Sequence, residues 1–409
     1  MFAPAQPIMS DDAWLLNEWQ PKREPPATVG ISLSGGGHRA ALYAAGAIAA
    51  VVDAGLAASV AWFASASGGS LSSGYVLSHG GLANLSSDVD GFVEAALAIC
   101  TRRLGSAARV SVPALIAQGP GASLEHSLTK LWLQGTSSLE SFSAFPSQHI
   151  FLAVDLESLQ PAYLSSTFVF IDESDNDGPS MGRPGALKLS SAVRASCMFP
   201  FLPTVKIGCN TLALYEKASE DEVIVLADGG LWNNLATSWH SEQDRIRRTL
   251  HHALPSGLQS PVQLHLVVDA SASPRRVSSG ALSLPVLGWG RGAWRSYKAM
   301  SQSSVTHHRA QLGASAQFNA GGPISHVNLR IDPQVVCNRS ALFAHLGADL
   351  NRWRSVTQTA KQVPTTLLGM SRDTALAVLG HAYGLTSAHL ADGWSIPWNR
   401  FSDPFTRFQ

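Results

Sequence analysis

The sequence predicts an α/β fold: a mainly parallel sheet with helices on both faces. Three observations carry that expectation. Apolar runs of strand length recur at Thr28–Leu33, Val60–Ala64, Ile150–Asp155, Glu222–Ala227 and Val262–Asp269, with stretches of helical length between them. Strands alternating with helices require crossover connections, and these cover a parallel sheet on both sides. Two strand-to-helix junctions, Ser34–Gly37 and Ser65–Gly69, consist only of small residues, so the chain can turn sharply there without side-chain clashes. Finally, 409 residues at 45% hydrophobic content supply core enough for one large domain with insertions.

Taken in order, residues 1–27 read as a leader. Trp14, Leu15 and Trp19 are placed to dock on the body, and Pro21, Pro25 and Pro26 break any helix. The leader has neither a basic n-region nor an apolar h-region, so no signal peptide is expected. Residues 28–335 form the α/β body and 336–409 a mainly helical C-terminal region. After the first strand and its glycine turn, Ala40–Val52 is an Ala-rich helix able to pack closely on a sheet. Ala40–Ala64 has the length of a membrane span, but Asp53 interrupts it and Ala and Gly gain little in lipid; a buried helix followed by a buried strand explains it. Leu71 opens the next helix. Helices follow around Asp88–Arg103, Val112–Gln118 and Leu124–Leu133, and a strand at Thr167–Ile171. Asp172–Gly178 is an acidic loop without the full spacing of a Ca²⁺ loop, read as a solvated turn. Leu189–Cys197 is a helix ended before Pro200, and His326–Ile331 is a late strand. Helices over Leu342–Arg354 and Ser371–Tyr383, the latter capped by Ser371, precede a tail rich in Trp, Pro and Phe.

A strand that turns into a helix through Ser65-Ala66-Ser67-Gly68-Gly69 has the form of a nucleophile elbow. It presents one hydroxyl, on Ser67, at a helix N-terminus where backbone N–H groups favour developing negative charge. Gly35, Gly36 and Gly37 form a second such turn. Consecutive glycines let several N–H groups line one concavity, which suits either the oxyanion of an acyl transfer or a dinucleotide pyrophosphate. Gly35-x-Gly37-x-x-Ala40 fits the dinucleotide fingerprint, and Asp53 lies 18 residues after Gly35 (53 − 35). However, Asp53 precedes the second strand rather than closing it, and no acid follows that strand. The oxyanion reading is therefore preferred. Arg39 is placed either to hold this loop or to add positive potential; His38 is read as a local loop residue.

A serine nucleophile needs a proton acceptor. None of the 14 histidines sits in an evident catalytic turn; neither His251-His252 nor His307-His308 has a spaced Cys or acidic partner that would make a metal site. Asp228 ends a strongly apolar strand and is followed by Gly229 and Gly230. A carboxylate at the end of a buried strand is partly desolvated, which raises its proton affinity. Asp228 is thus a candidate base, with a simple turn residue as the other reading.

These pieces together resemble the patatin-like phospholipases. Gly35-Gly36-Gly37-His38-Arg39 resembles that family's oxyanion loop, Ser65–Gly69 its Gly-x-Ser-x-Gly elbow with Ser65 in place of the first glycine, and Asp228-Gly229-Gly230 its Asp-Gly-Gly/Ala motif. Val193–Pro200 is similar to its Arg-Ala-Ser…Pro segment, and Ser34–Ala40 is also similar to cytosolic phospholipase A2. The resemblance implies a three-layer α/β/α fold and a Ser67–Asp228 dyad without histidine. The oxyanion would be held at Gly35, Gly36, Gly37 and Gly68, with Arg39, Gly69, Gly229 and Gly230 in support. It implies no cofactor or metal, and a lipid acyl hydrolase of phospholipase A type acting on glycerophospholipid esters. Some members act in bacterial anti-phage defence under a nucleotide second messenger, so such an activator is a further partner class. A dinucleotide-dependent enzyme and an inactive patatin-like scaffold are the alternatives.

A formal net charge of 0 gives no sign of nucleic-acid binding, and a charged content of only 14% points to burial, to self-association into a homo-oligomer or to contact with lipid. No acidic residue lies between Asp269 and Asp332, a span that holds Arg275, Arg276, Arg291, Arg295, Lys298, Arg309 and Arg330 with Trp289 and Trp294. Cations interleaved with apolar side chains suit an anionic membrane surface; a lid or subunit contact is the alternative. Four cysteines without a CxxC pair fit a reducing compartment, so a cytoplasmic protein peripheral to the membrane is expected.

Overall fold

The computed structural model describes residues 23–101, 125–133, 135–172, 180–197, 205–208, 211–214, 223–250, 261–271, 303–310, 324–331, 349–365 and 369–409, with 340, 342, 345 and 346. The strands are β1 (Val29–Leu33), β2 (Val60–Ser65), β3 (Gln148–Asp155), β4 (Pro161–Ser165), β5 (Val169–Ile171), β6 (Ser180–Arg183), β7 (Val205–Gly208), β8 (Ala213–Leu214), β9 (Val223–Asp228), β10 (Leu264–Asp269) and β11 (Ile324–Asn328). They form one sheet in the order β11-β10-β1-β2-β3-β4-β5-β6-β8. From β11 to β3 the pairing is parallel, and from β3 to β8 it is antiparallel.

One feature of this sheet places the site. The edge of β3 is shared by two strands. β2 occupies its first half, with Ser65 opposite Phe151, and β9 enters from the other end, with Asp228 opposite Ala153. The carboxyl ends of β2 and β9 therefore face each other two residues apart along β3, about 7 Å. Residues just beyond the two ends must meet, although 161 positions separate Ser67 from Asp228 (228 − 67).

The helices are α1 (Gly37–Asp53), α2 (Gly68–Ser78), α3 (Gly81–Leu85), α4 (Val89–Thr101), α5 (Leu189–Cys197), α6 (Gly230–Asn233), α7 (Ser238–Leu250), α8 (Leu350–Gln362) and α9 (Arg372–Gly393). Side chains alternate across the sheet as the pleat requires. Phe63, Phe151 and Ala153 join a core with α1, α2, α4, α5 and α9, whereas Trp62, Ala64, Ile150 and Leu152 join Trp239 and Ile246 of α7 on the other face. This is the three-layer α/β/α arrangement. The Ala-rich α1 is buried from Gly37 to Val51, because it lies between the sheet and α9. The approach of α9 is so close that a Cβ on Gly46 would stand 2.3 Å from the Leu379 carbonyl oxygen. The C-terminus is latched as well: Asp53 accepts from Tyr383 Oη (2.7 Å) and from Arg407 Nε (3.2 Å), and Arg407 Nη1 also reaches Asp90. Among the described residues no helix is long and apolar enough to cross a membrane.

Several expected boundaries shift. α1 and α2 begin at Gly37 and Gly68, one turn before the first residues of good helix propensity. The helix expected over Leu342–Arg354 is divided: Leu342 and His345 are helical, and α8 starts at Leu350, where Asp349 caps it by accepting from Asn351 N. α9 continues ten residues past Tyr383, with Ser371 as the expected cap. The segments expected as the helix over 112–118, most of the acidic loop and most of the leader lie outside the described residues.

Candidate active site

Ser67 adopts φ 49° and ψ −121°, a left-handed conformation that a residue with a side chain adopts only under constraint. It stands between β2 and α2, so the small residues form a sharp strand-to-helix turn with Ser67 at its apex. Ser67 Oγ donates to Asp228 Oδ2 at 2.9 Å. Asp228 Oδ1 accepts from Gly230 N at 2.8 Å. Among the described residues no histidine bonds either side chain. Ser67 is 3% exposed and Asp228 fully buried. Burial pushes the Asp228 carboxyl up to about 7, against the opposing pull of its hydrogen bonds from Gly230 and Ser67.

The glycine turns are stacked directly on the elbow. A Cβ on Gly68 would lie 2.1 Å from the Gly37 carbonyl oxygen and 2.8 Å from Gly37 N; one on Gly69 would lie 2.5 Å from Leu33 O; one on Gly229 would lie 2.2 Å from Leu152 O. The starts of α1 and α2 thus touch backbone to backbone, and the turn after Asp228 presses against β3. Gly36 and Gly37 have φ of 144° and 63°, open to glycine. The amides of Gly36, Gly37 and Gly68 make no hydrogen bond among the described residues.

Gly35 differs from the expectation. Its N–H donates to Asn234 O at 2.7 Å and is not free to hold an oxyanion. Its value is room: a Cβ would meet Asn234 Oδ1 at 2.3 Å and Ser67 Cβ at 2.9 Å. Gly230 likewise makes space for Asn234 Oδ1 beside Asp228. Asn234, missed in the sequence, is therefore a wedge between the two motifs, tied onward by Nδ2 to Ser271 Oγ at 3.2 Å. The pair Asn233-Asn234 just past the Asp-Gly-Gly motif was its only visible signal.

Arg39 is buried and holds the loop. It donates through Nε to Ala270 O at 2.9 Å, through Nη1 to Val363 O, and through Nη2 to Thr365 Oγ1 at 3.2 Å. Desolvation lowers its pKa to about 10, with Asp269 opposing and Arg330 reinforcing, so it stays charged at neutral pH. It straps the start of α1 to β10 and to the segment after α8. Arg39→Met leaves two buried carbonyls without their donor, and is expected to destabilise the protein by about 3 kcal/mol in urea titration; an unchanged midpoint would contradict the strap.

Asp53 sits at the far end of α1, about 25 Å from the glycine turn, bound to Tyr383 and Arg407. It cannot read a ribose at that turn. Of the basic span, Arg309 bonds buried Asp269 and Arg330 Nε donates to Ser271 O, so these two cations serve the interior rather than a lipid surface. Arg275, Arg276, Arg291, Arg295 and Lys298 lie outside the described residues.

No sequence-family model matches the chain, and no curated protein sequence does. Among solved structures, human GIVD cytosolic phospholipase A2 in complex with methyl gamma-linolenyl fluorophosphonate matches with a TM-score of 0.50 at 13% identity, over 93% of this chain and 60% of the human one. The human enzyme with the same inhibitor and terbium chloride matches with a TM-score of 0.48 at 13% identity, over 93% and 61%. The chain thus spans 60% of the length of that relative. At this identity the likeness establishes a shared fold.

Proposed function

We propose that this chain, whose fold is patatin-like, is a lipid acyl hydrolase of phospholipase A type. One observation carries the reading: a strained serine at an elbow donates 2.9 Å to a buried, proton-avid aspartate, beside two touching helix starts. Ser67 Oγ attacks an ester carbonyl while Asp228 takes its proton. A base whose pKa lies near 7 is matched to that task at neutral pH. The amides of Gly36, Gly37 and Gly68 hold the oxyanion, helped by the dipoles of α1 and α2. The protonated Asp228 then gives its proton to the departing alcohol, leaving an acyl ester on Ser67. In the second half Asp228 takes a proton from water, which attacks that ester, and then returns it to Ser67 Oγ as the acyl–oxygen bond breaks and the fatty acid leaves.

The patatin-like fold and the histidine-free pair favour lipid esters as substrate, and a phospholipid surface as the partner. The dinucleotide reading loses its acid in Asp53, and a scaffold has no need of the strain at Ser67. Fatty-acid release from phosphatidylcholine and phosphatidylglycerol vesicles tests the proposal. The parent is expected to release fatty acid and Ser67→Ala none; equal release by both would overturn it.

A further inference from the structure

Ser65 stands where the elbow pattern has glycine, and the structure gives that serine a use. Ser65 Oγ donates to Ile150 O at 3.2 Å and accepts from Ser70 Oγ at 3.0 Å. The one proton of Ser70 is thereby committed, so Ser70 accepts in turn from Ser196 Oγ at 2.8 Å. The result is a one-way chain of hydroxyls, Ser196 to Ser70 to Ser65 to β3, with all three side chains fully buried. It ties the residue two before Ser67 and the residue three after it to the end of α5.

The same end of α5 grips Ser67 itself. Ser67 N donates to Ser196 O at 2.9 Å, and Cys197 Sγ donates to Ser67 O at 2.7 Å. Both backbone groups of the strained residue are therefore bonded by two consecutive residues, which the hydroxyl chain anchors, and Ser70 N is a second donor to Ser67 O at 2.9 Å. A left-handed backbone on a residue with a side chain costs about 1–3 kcal/mol and persists only where its surroundings over-determine it. A glycine at position 65 would leave the Ser70 proton without this acceptor and the end of α5 tied less firmly.

We infer that Ser65, Ser70, Ser196 and Cys197 are positioning residues that fix the elbow, with Ser65 the residue that closes the chain. The inference rests on Ser67 being the nucleophile. It is specific to this sequence, because it turns on the serine that departs from the motif.

Four variants, Ser65→Gly, Ser70→Ala, Cys197→Ala and Cys197→Ser, test it in the full chain. The readouts are kcat and KM for fatty-acid release, the rate of fluorophosphonate labelling at Ser67, and the urea midpoint. Ser65→Gly, Ser70→Ala and Cys197→Ala are each expected to lower kcat and the labelling rate by about tenfold or more with KM unchanged, since a small misplacement of a reacting group is enough for that. Cys197→Ser keeps a donor to Ser67 O and is expected to recover most of the rate lost in Cys197→Ala. Ser65→Gly removes atoms only and so introduces no clash, and the urea midpoint reports its cost to the fold. Parental kcat and labelling in Ser65→Gly and Ser70→Ala, whatever their midpoints, would overturn the inference and leave the nucleophile reading standing. A parent protein that is not labelled at Ser67 would overturn both.

Discussion

Asp228→Asn is expected to lower fatty-acid release by about 10³-fold or more and, above neutral pH, to make the protein more stable. The loss of rate follows from removing the only proton acceptor bonded to Ser67 among the described residues; general-base catalysis typically supplies about 10²–10⁴. The gain in stability follows from burial. Folding raises the Asp228 carboxyl from its ordinary value of 3.8 to about 7. Between those values the folded state holds a proton that the unfolded state has released, so stability falls as pH rises from about 4 to about 7. Above that range the buried charge costs on the order of 4 kcal/mol, from about three pH units at about 1.4 kcal/mol each. Asn is isosteric, still accepts from Gly230 N through its carbonyl oxygen, and carries no charge. Its urea midpoint is expected to exceed the parent's at pH 8 and to match it near pH 4. In the parent, activity is expected to rise across neutrality as Asp228 ionises. A variant no more stable than the parent at pH 8 would show that the carboxylate is better solvated than its burial implies.

Gly68→Ala is expected to lower kcat by about 10²–10³, the usual effect of losing an oxyanion donor. The added methyl would lie 2.1 Å from Gly37 O and 2.8 Å from Gly37 N. Both neighbours are backbone, so relief requires the starts of α1 and α2 to separate, and with them the amides of Gly37 and Gly68. Gly393→Ala, where a Cβ would meet nothing within 4 Å, is the matched control and is expected to keep parental activity. Full activity in Gly68→Ala would detach the helix contact from catalysis.

Ser67 and Asp228, the proposed reacting pair, were legible because local chemistry marked them. A run of small residues between an apolar strand and a helix has few uses other than a tight turn, and an aspartate ending an apolar strand before two glycines announces a desolvated carboxyl. Most of the parallel half of the sheet was legible for the same reason, since β1, β2, β3 and β10 are short apolar runs; β11 reads Ile-Ser-His-Val-Asn and starts two residues before the expected His326. Local signals failed where long-range packing decides. Helix propensity places Gly37 and Gly68 outside their helices, yet contact between the two glycine turns draws both inside. The antiparallel strands β6 and β8 are short and carry Ser180, Arg183 and Ala213, without an apolar run. Nothing near Gly35 in sequence indicates that its amide is taken by Asn234, 199 residues later (234 − 35). Arg39 read equally well as loop strut or positive charge, and only its three acceptors, two of them more than 300 residues away, decide for the strut. Nothing near Ser65 in sequence shows why a serine replaces the motif's glycine, because its hydroxyl chain runs to β3, α2 and α5.

The most direct measurement is to treat the parent with a fluorophosphonate and map the adduct by peptide mass spectrometry. The account predicts a single adduct on Ser67, absent from Ser67→Ala and formed far more slowly in Asp228→Asn. An adduct on another serine, or none on a folded parent that still hydrolyses lipid, would contradict it.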